Sequence, residues 1–294
     1  MHHLVSIGLP VFNGSAYLAE ALDSICSQTH KSLEIIISDN ASSDNTQEIC
    51  MSFAQIDHRI HYYRQIENIG AANNFLFVSQ QASAKYFMWA AADDLWHPQW
   101  VEELLVACIK YSCLVYGKLL QIDANGAELA LISSGRTFSF TQRRIIRRLR
   151  YLLEYIGLGK CNPIYGLFPT DHLTQELVQT LSLPYGSSDA LFLYNYLHKH
   201  KICSVSSVTM RKRIIQSTPS TNIVSPSSHA ALPLIPLKTL SFLKNRTSSY
   251  LRLINLYERV YNDPLEIIVH RALILILPIN DLIRFFFQRI APRV

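Results

Sequence analysis

The sequence predicts an α/β fold: a mostly parallel central sheet covered by helices on both faces. Three observations carry that prediction. Short apolar runs alternate with stretches of helical periodicity from the N-terminus to about residue 111. A polar group containing Asp, Asn, Ser or Gly follows each of the first four apolar runs. Hydrophobic residues make up 49% of the 294 positions, enough for a sizeable core in one large domain or in one domain plus an appendage.

Taken in order, Leu4 to Leu9 is an apolar run closed by Pro10, the pattern of a strand buried on both faces. Ala16 to Gln28 carries Tyr17, Leu18, Ala21, Leu22 and Ile25 on one helical face. Leu33 to Ile37 is a second strand, and Asp44 to Ile56 a second helix with Ser43 or Asp44 as its N-cap. Ile60 to Arg64 is a third strand, Ala71 to Gln81 a third helix, Lys85 to Ala90 a fourth strand and Pro98 to Tyr111 a fourth helix. After Arg150 the pattern loosens. Cys161 to Phe168 and Ser204 to Arg211 have strand character; His172 to Leu181 and Asp189 to His200 have helical character. Thr218 to Pro236 is rich in Ser, Pro and Thr and predicts a loop, leaving 237–294 as a helical tail.

The net charge is +5 and unevenly spread. Arg136, Arg143, Arg144, Arg147, Arg148 and Arg150 crowd one segment, and Lys244 to Arg293 is basic and apolar. Such stretches suit an anionic membrane surface or a phosphorylated lipid, and on charge alone nucleic acid as well. The arginine cluster fits equally a solvated helix face. The run Ile267 to Ile279 is broken by His270 and Arg271 and is shorter than the roughly 20 residues of a spanning helix, so it predicts an interfacial or packed helix. Six cysteines without CxxC or zinc spacing, and a first strand that begins near Met1, lead us to expect reduced thiols and a cytoplasmic protein, peripheral at most on the inner membrane face.

In parallel sheets ligands bind beyond the carboxyl ends of the strands. Four polar clusters occupy those positions: Pro10–Gly14, Asp39–Thr46, Glu67–Asn74 and Ala91–Asp94. Their carboxylates and amides would converge on one edge, able to read a base, a ribose and a metal-bound diphosphate. Adjacent acids after a buried strand are costly without a cation between them, and oxygen ligands of this kind suit Mg²⁺ or Mn²⁺. The plainer readings are a turn at Asp39, loop acids at Asp93 and Asp94, an ordinary turn at Asn68–Gly70, and a first-turn helix acid at Asp189. Trp89, Trp96 and Trp100 read as core or rim packing, with sugar stacking as the other use of Trp96.

The series Leu9-Pro10-Val11-Phe12-Asn13, Ser38-Asp39-Asn40-Ala41-Ser42-Ser43-Asp44-Asn45-Thr46, Asn68-Ile69-Gly70 and Trp89-Ala90-Ala91-Ala92-Asp93-Asp94 resembles family 2 glycosyltransferases of the GT-A fold. The match runs to about Leu105 and continues more weakly through Tyr165–Phe168 and Ser187–Leu191 to about Arg213. The resemblance implies a GT-A domain over 1–236, with the tail outside it. It also implies roles: Pro10, Phe12 and Asn13 framing base and ribose; Asp39, with Asn40 beside it, accepting from the base imide; Asn68 and Gly70 lining the nucleotide pocket. Asp93 and Asp94 would match the end of the DxD-type motif that holds the metal on the diphosphate, with Asp93 also on the nucleotide. Asp189 would be the general base of an inverting transfer. Where the motif begins with an acid, this chain has Ala91, and in place of the aromatic and basic motif beyond the catalytic acid it has Arg211, Lys212 and Arg213. His229 is a further metal-ligand candidate.

The expected donor is a UDP-, dTDP- or GDP-linked sugar, and the expected acceptor a glycan or lipid-linked hydroxyl in surface polysaccharide assembly. Two other classes compete. A nucleotidyltransferase would show a Gly-rich basic loop after the first strand, which Pro10–Gly14 is not. A non-catalytic sugar-nucleotide scaffold would bind donor without consuming it. Nucleic acid is not expected as a partner, since no recognised module is present and the basic residues lie away from the motif edge.

Overall fold

The computed structural model describes residues 3–154, 156–182 and 188–215, which fall within one compact unit, Met1–Ile215. The predicted loop Thr218–Pro236, His229, Ser187 and the helical tail 237–294 lie outside the described residues. Among the described residues no helix is long and apolar enough to cross a membrane.

Strands β1 (Val5–Val11), β2 (Leu33–Asp39), β3 (Ile60–Arg64) and β4 (Tyr86–Trp89) are parallel, in the order β3-β2-β1-β4, and β7 (Phe168–Pro169) closes the β4 edge antiparallel. Their carboxyl ends share one rim, as the alternation predicts. β1 is buried almost throughout, which is why its sequence runs apolar instead of alternating. Gly8 sits where a Cβ would come within 2.8 Å of Phe87 and Val78, so only glycine lets the third helix close on the sheet there. Helices α1 (Leu18–Cys26), α2 (Thr46–Ile56), α3 (Ala71–Gln80) and α4 (Trp100–Tyr111) come after β1, β2, β3 and the short β5 (Leu95–Trp96). α1 buries Leu18, Ala21, Leu22 and Ile25, four of the five residues assigned to its face; Tyr17 lies just outside the helix. The N-cap assignment at α2 shifts: Asn45 holds that place, while the Asp44 carboxylate accepts from Thr46 N at 3.1 Å.

A second sheet, β5-β8-β6, is built from β6 (Leu114–Ile122) and β8 (Ile202–Arg213), parallel to each other. β6 is not among the strands expected from sequence, because Gly117, Lys118 and Gln121 interrupt its apolar run. Gly117 is where the Trp100 ring packs. All three tryptophans are buried, so Trp96 is a core residue and not a sugar platform. Trp89 meets Phe87, Phe168 and Phe192 edge-on.

Three expectations are corrected. Cys161 to Phe168 is not one strand: Pro163 helps start a 3₁₀ turn at Asn162–Tyr165, Leu167 makes a single antiparallel bridge to Val115, and the strand proper is only Phe168–Pro169. The helix expected over His172 to Leu181 starts later, as α6 (Gln175–Gln179) with Thr174 Oγ1 accepting from Leu177 N, and continues as a 3₁₀ turn at Thr180–Ser182. The arginine cluster is not uniformly solvated: in α5 (Arg144–Leu153), Arg147 and Arg148 are buried against α7 (Ser188–Lys199).

At the far end of α7 the His172 and His200 rings stack at 3.6 Å, and Tyr196 Oη, which accepts from Leu114 N, is hydrogen-bonded to His172 Nδ1 at 2.9 Å. Burial and the nearby positive charges of His172, Lys199 and Arg147 push His200 down to about 4, against the opposing Asp171 carboxylate. A depressed histidine contributes stability that is complete above its unfolded value near 6.5 and is lost as pH falls toward 4. We expect the melting temperature to drop across that window and the drop to shrink in His200→Gln; an unchanged slope would exclude His200 as its source.

Candidate functional site

The loops after β1 and β2 clasp each other through side chains. Asn13 takes a left-handed backbone (φ 50°), its N–H donates to Ser42 Oγ at 2.9 Å, and its Oδ1 accepts from Ser43 N at 2.8 Å. Gly14 N donates to Thr46 Oγ1 and Ser15 N to Asp44 Oδ2. Burial works against the Asp44 charge, but the Ser15 and Thr46 hydrogen bonds outweigh it and hold the carboxyl well below the usual range. Asn40 ties this pair to the loop after β3: its Nδ2 donates to Asn68 Oδ1 at 2.8 Å and its Oδ1 accepts from Ile69 N at 2.9 Å. Gly70, at φ 83°, opens α3; a Cβ there would meet nothing, so its requirement is the backbone angle.

These loops wall a cavity of about 120 Å³ lined by Pro10, Phe12, Asn40, Asn68, Ala71 and Phe75, among others. A second cavity of about 180 Å³ is lined by Ala71, Ala72, Phe75, Tyr165, Ser188 and Asp189, among others. Ala71 and Phe75 line both, so the first turn of α3 is the shared wall between the β1–β3 loops and the N-terminus of α7.

Asp39 stands apart from both linings. It is 0% exposed. Its Oδ1 accepts from Ser42 N at 2.9 Å; its Oδ2 accepts from Tyr62 Oη at 2.9 Å and from Arg64 Nη1. Arg64 also donates to Ser42 O at 2.8 Å and keeps 35% of its side chain exposed. Burial and the bond to Asp39 push the Tyr62 hydroxyl up to about 12, so it stays a donor.

The acid pair after β4 divides. Asp94 is 1% exposed; its Oδ1 accepts from Arg213 N at 2.8 Å, and its Oδ2 is buried with no hydrogen-bond partner. Burial, and then the Asp93 charge, push its carboxyl up to about 7. Burial raises Asp93 as well, against the pull of Lys212 and Arg213. Arg213 is committed within the fold: it donates to Asp93 O, Ala124 O and the Glu20 carboxylate and lies over the Tyr17 ring at 4.2 Å. Lys212 lies between the acid pair and the second cavity, within electrostatic reach of Asp94, Tyr165 and Asp189. Its Nζ sits 4.8 Å from the centre of the Tyr165 ring, and although burial acts to lower its pKa, the net shift is upward, from Tyr165, Asp94 and Asp189. Tyr165 and Lys212 are the site neighbours that no single sequence signal isolates: Tyr165 sits in a 3₁₀ turn and Lys212 between two arginines.

Among the described residues no cluster of three or more His, Cys, Asp or Glu side chains is placed to hold a metal ion. The orphaned Asp94 oxygen and the raised carboxyls of both acids nevertheless fit a divalent cation, provided the ligand's phosphate oxygens complete its shell.

The family model described as glycosyl transferase family 2 matches residues 6–165. Among curated proteins, the glycosyltransferase GlyG of Streptococcus pneumoniae serotype 4 is 33% identical over 177 residues, 60% of this chain and 58% of that protein. The putative teichuronic acid biosynthesis glycosyltransferase TuaG of Bacillus subtilis is 33% identical over 110 residues, 37% of this chain and 44% of that protein. An uncharacterized glycosyltransferase of Rickettsia conorii is 33% identical over 136 residues, which are 45% of this chain and only 22% of that protein. The chain thus spans less than two thirds of each of these relatives' lengths. Among solved structures, S. aureus TarS 1–349 in complex with UDP-GlcNAc aligns with a TM-score of 0.54 at 15% identity, over 86% of this chain and 66% of that one. The mannosyltransferase PcManGT of Pyrobaculum calidifontis, in complex with GDP-Man and Mn²⁺, aligns with a TM-score of 0.50 at 14% identity, over 99% and 76%. At such identities the likeness concerns the fold.

Proposed function

The chain belongs to glycosyl transferase family 2 and has the GT-A fold, and from that premise we propose that it transfers a sugar, with inversion, from a nucleoside-diphosphate donor to an acceptor hydroxyl. The observation that carries the reading is the shared wall at Ala71 and Phe75, with amides on one side and a carboxylate on the other. The nucleoside lies in the first cavity, against Pro10 and Phe12, with the Asn40–Asn68 pair at its edge. Asp39 reaches the base only when Tyr62 and Arg64 release its carboxylate; until then it fixes the turn after β2. Asn13 acts on the ribose indirectly, by holding that same turn.

The diphosphate lies between Asp93 and Lys212, and the donor sugar beneath α3 toward Asp189. Asp93 would hold Mg²⁺ or Mn²⁺, with Asp94 buried behind it as the second acid of the pair. The bound cation would neutralise charge on the diphosphate as it leaves. Lys212 stays protonated between Tyr165 and the carboxylates and adds a fixed positive charge on the same side. Asp189 accepts the proton of the attacking hydroxyl from the face opposite the leaving group, which is the inverting geometry. The acceptor is a glycan or lipid-linked hydroxyl of a surface polysaccharide; TuaG, putatively in teichuronic acid biosynthesis, supports that class.

Screening UDP-, dTDP- and GDP-sugars for donor hydrolysis, with and without Mn²⁺, tests the reading. Cation-dependent release of nucleoside diphosphate from one donor class is the expected result. Tight donor binding without turnover, in the presence of candidate acceptors, would favour a non-catalytic scaffold instead.

A further inference from the structure

Helix α5 buries a mixed face, Arg147, Arg148, Tyr151 and Leu152, and leaves its two isoleucines outside. Arg147 and Arg148 are 6% and 1% exposed, while Ile145 and Ile146 are 39% and 50% exposed. The cause is the C-terminus of α7, whose last carbonyls lack helical partners. Arg147 Nε donates to Leu197 O at 2.7 Å and its Nη2 to His198 O at 3.1 Å. The Arg148 guanidinium lies over the Tyr194 ring at 4.1 Å. With Arg147 and Arg148 drawn to that helix end, α5 leaves Ile145 and Ile146 exposed and Leu149 and Leu153 half-buried on its outer side. Ile145, Leu149 and Leu153 recur at four-residue spacing, with Ile146 beside them.

Positive charge predominates along this stripe, with Glu128 and Glu154 at its two ends. Arg143, Arg144 and Arg150 are exposed, and no Asp or Glu occurs from Leu129 to Leu153. Leu131 and Ile132, in the loop before α5, are exposed too. At its other end α5 reaches the acid of the second cavity: Tyr151 Oη donates to Ala190 O, next to Asp189.

We propose that the outward face of α5 rests on an anionic lipid bilayer, its isoleucines at the headgroup–acyl boundary and Arg143, Arg144 and Arg150 on lipid phosphates. An exposed apolar stripe rimmed by guanidinium groups matches that surface in both polarity and charge. A second copy of the same face would bring arginines against arginines. The contact sets the Asp189 end of the cleft close to the bilayer. It does not rest on the transferase reading, since lipid binding needs neither donor nor acceptor.

The test is sedimentation of the full chain with phosphatidylcholine vesicles and with vesicles that also contain phosphatidylglycerol. Wild type is expected to partition onto the anionic vesicles and to be released by salt. Substituting Arg143, Arg144 and Arg150 by Gln together is expected to weaken binding about a hundredfold. The pair Ile145→Ser and Ile146→Ser is expected to weaken it by more than about tenfold. All five side chains are exposed, so melting temperatures close to wild type will show that the variants fold. Wild type that ignores anionic vesicles overturns the proposal. So do variants that bind as wild type does, which would assign the attraction to residues 216–294, and so does a self-associating chain that Ile145→Ser renders monomeric.

Discussion

Asp189→Asn is expected to lower sugar transfer by about 10²- to 10⁴-fold while leaving donor affinity nearly unchanged, the loss typical of removing one positioned proton acceptor. The expectation comes from where the side chain stands. Asp189 lies in the first turn of α7, lines the cavity beyond α3, and accepts from Ala190 N at 2.8 Å. The Tyr165 ring shares its cavity and Lys212 is within its electrostatic reach. Nothing in that setting holds the nucleoside, whose cavity lies on the other side of Ala71 and Phe75. Asn keeps the size of the side chain and can still cap the helix, so the substitution removes the proton acceptor and little else. Single-turnover transfer, measured beside calorimetric donor binding, separates the two effects. Transfer at the wild-type rate would leave Asp189 as a first-turn acid that merely favours the helix dipole. Equal losses in binding and transfer would move its role to the donor.

The parallel rim was legible because buried parallel strands are written as continuous apolar runs, and the loops at their carboxyl ends are forced to the same edge. The loops after β1, β2 and β3, which wall the first cavity, are among those expected from sequence to line the nucleotide site. What could not be read was orientation within a loop. Asn13 and Asn40 spend their side chains holding neighbouring turns. Asp39 is closed off by Tyr62 and Arg64, two residues of β3 whose partner is set by the β2–β3 register and by no local pattern. The same holds for α5. Its periodicity marks an amphipathic helix but not which side faces in, because the deciding groups are the last carbonyls of α7, fifty residues away. β6 was hidden for a different reason: Gly117 is there to admit the Trp100 ring, a tertiary demand that breaks the local strand signal.

The adjacent acids after β4 should separate in a second experiment. Asp93→Asn is expected to abolish most of the enhancement of donor affinity by Mn²⁺ and to lower turnover by about 10²- to 10³-fold, the scale of losing one fixed electrostatic contact to a charge that develops in the transition state. Asp94→Asn is expected to do far less. Asp94 is buried, accepts from Arg213 N, and has its carboxyl pushed up to about 7, so the fold already accommodates it in the neutral form. An Asn oxygen can still accept from Arg213 N. With the charge gone from a buried site, this variant should melt no lower than wild type when both are metal-free at alkaline pH. Titrating Mn²⁺ against donor binding in the two variants is the measurement. If Asp94→Asn abolishes the Mn²⁺ response and Asp93→Asn spares it, the assignment is reversed and the orphaned Asp94 oxygen is the one that meets the cation. If neither matters, Lys212 alone balances the diphosphate. Ala91 sharpens the choice: where the motif would offer an acid before Asp93, this chain offers a methyl group. The cation then has fewer protein oxygens, and more of its binding depends on the phosphates that the donor brings.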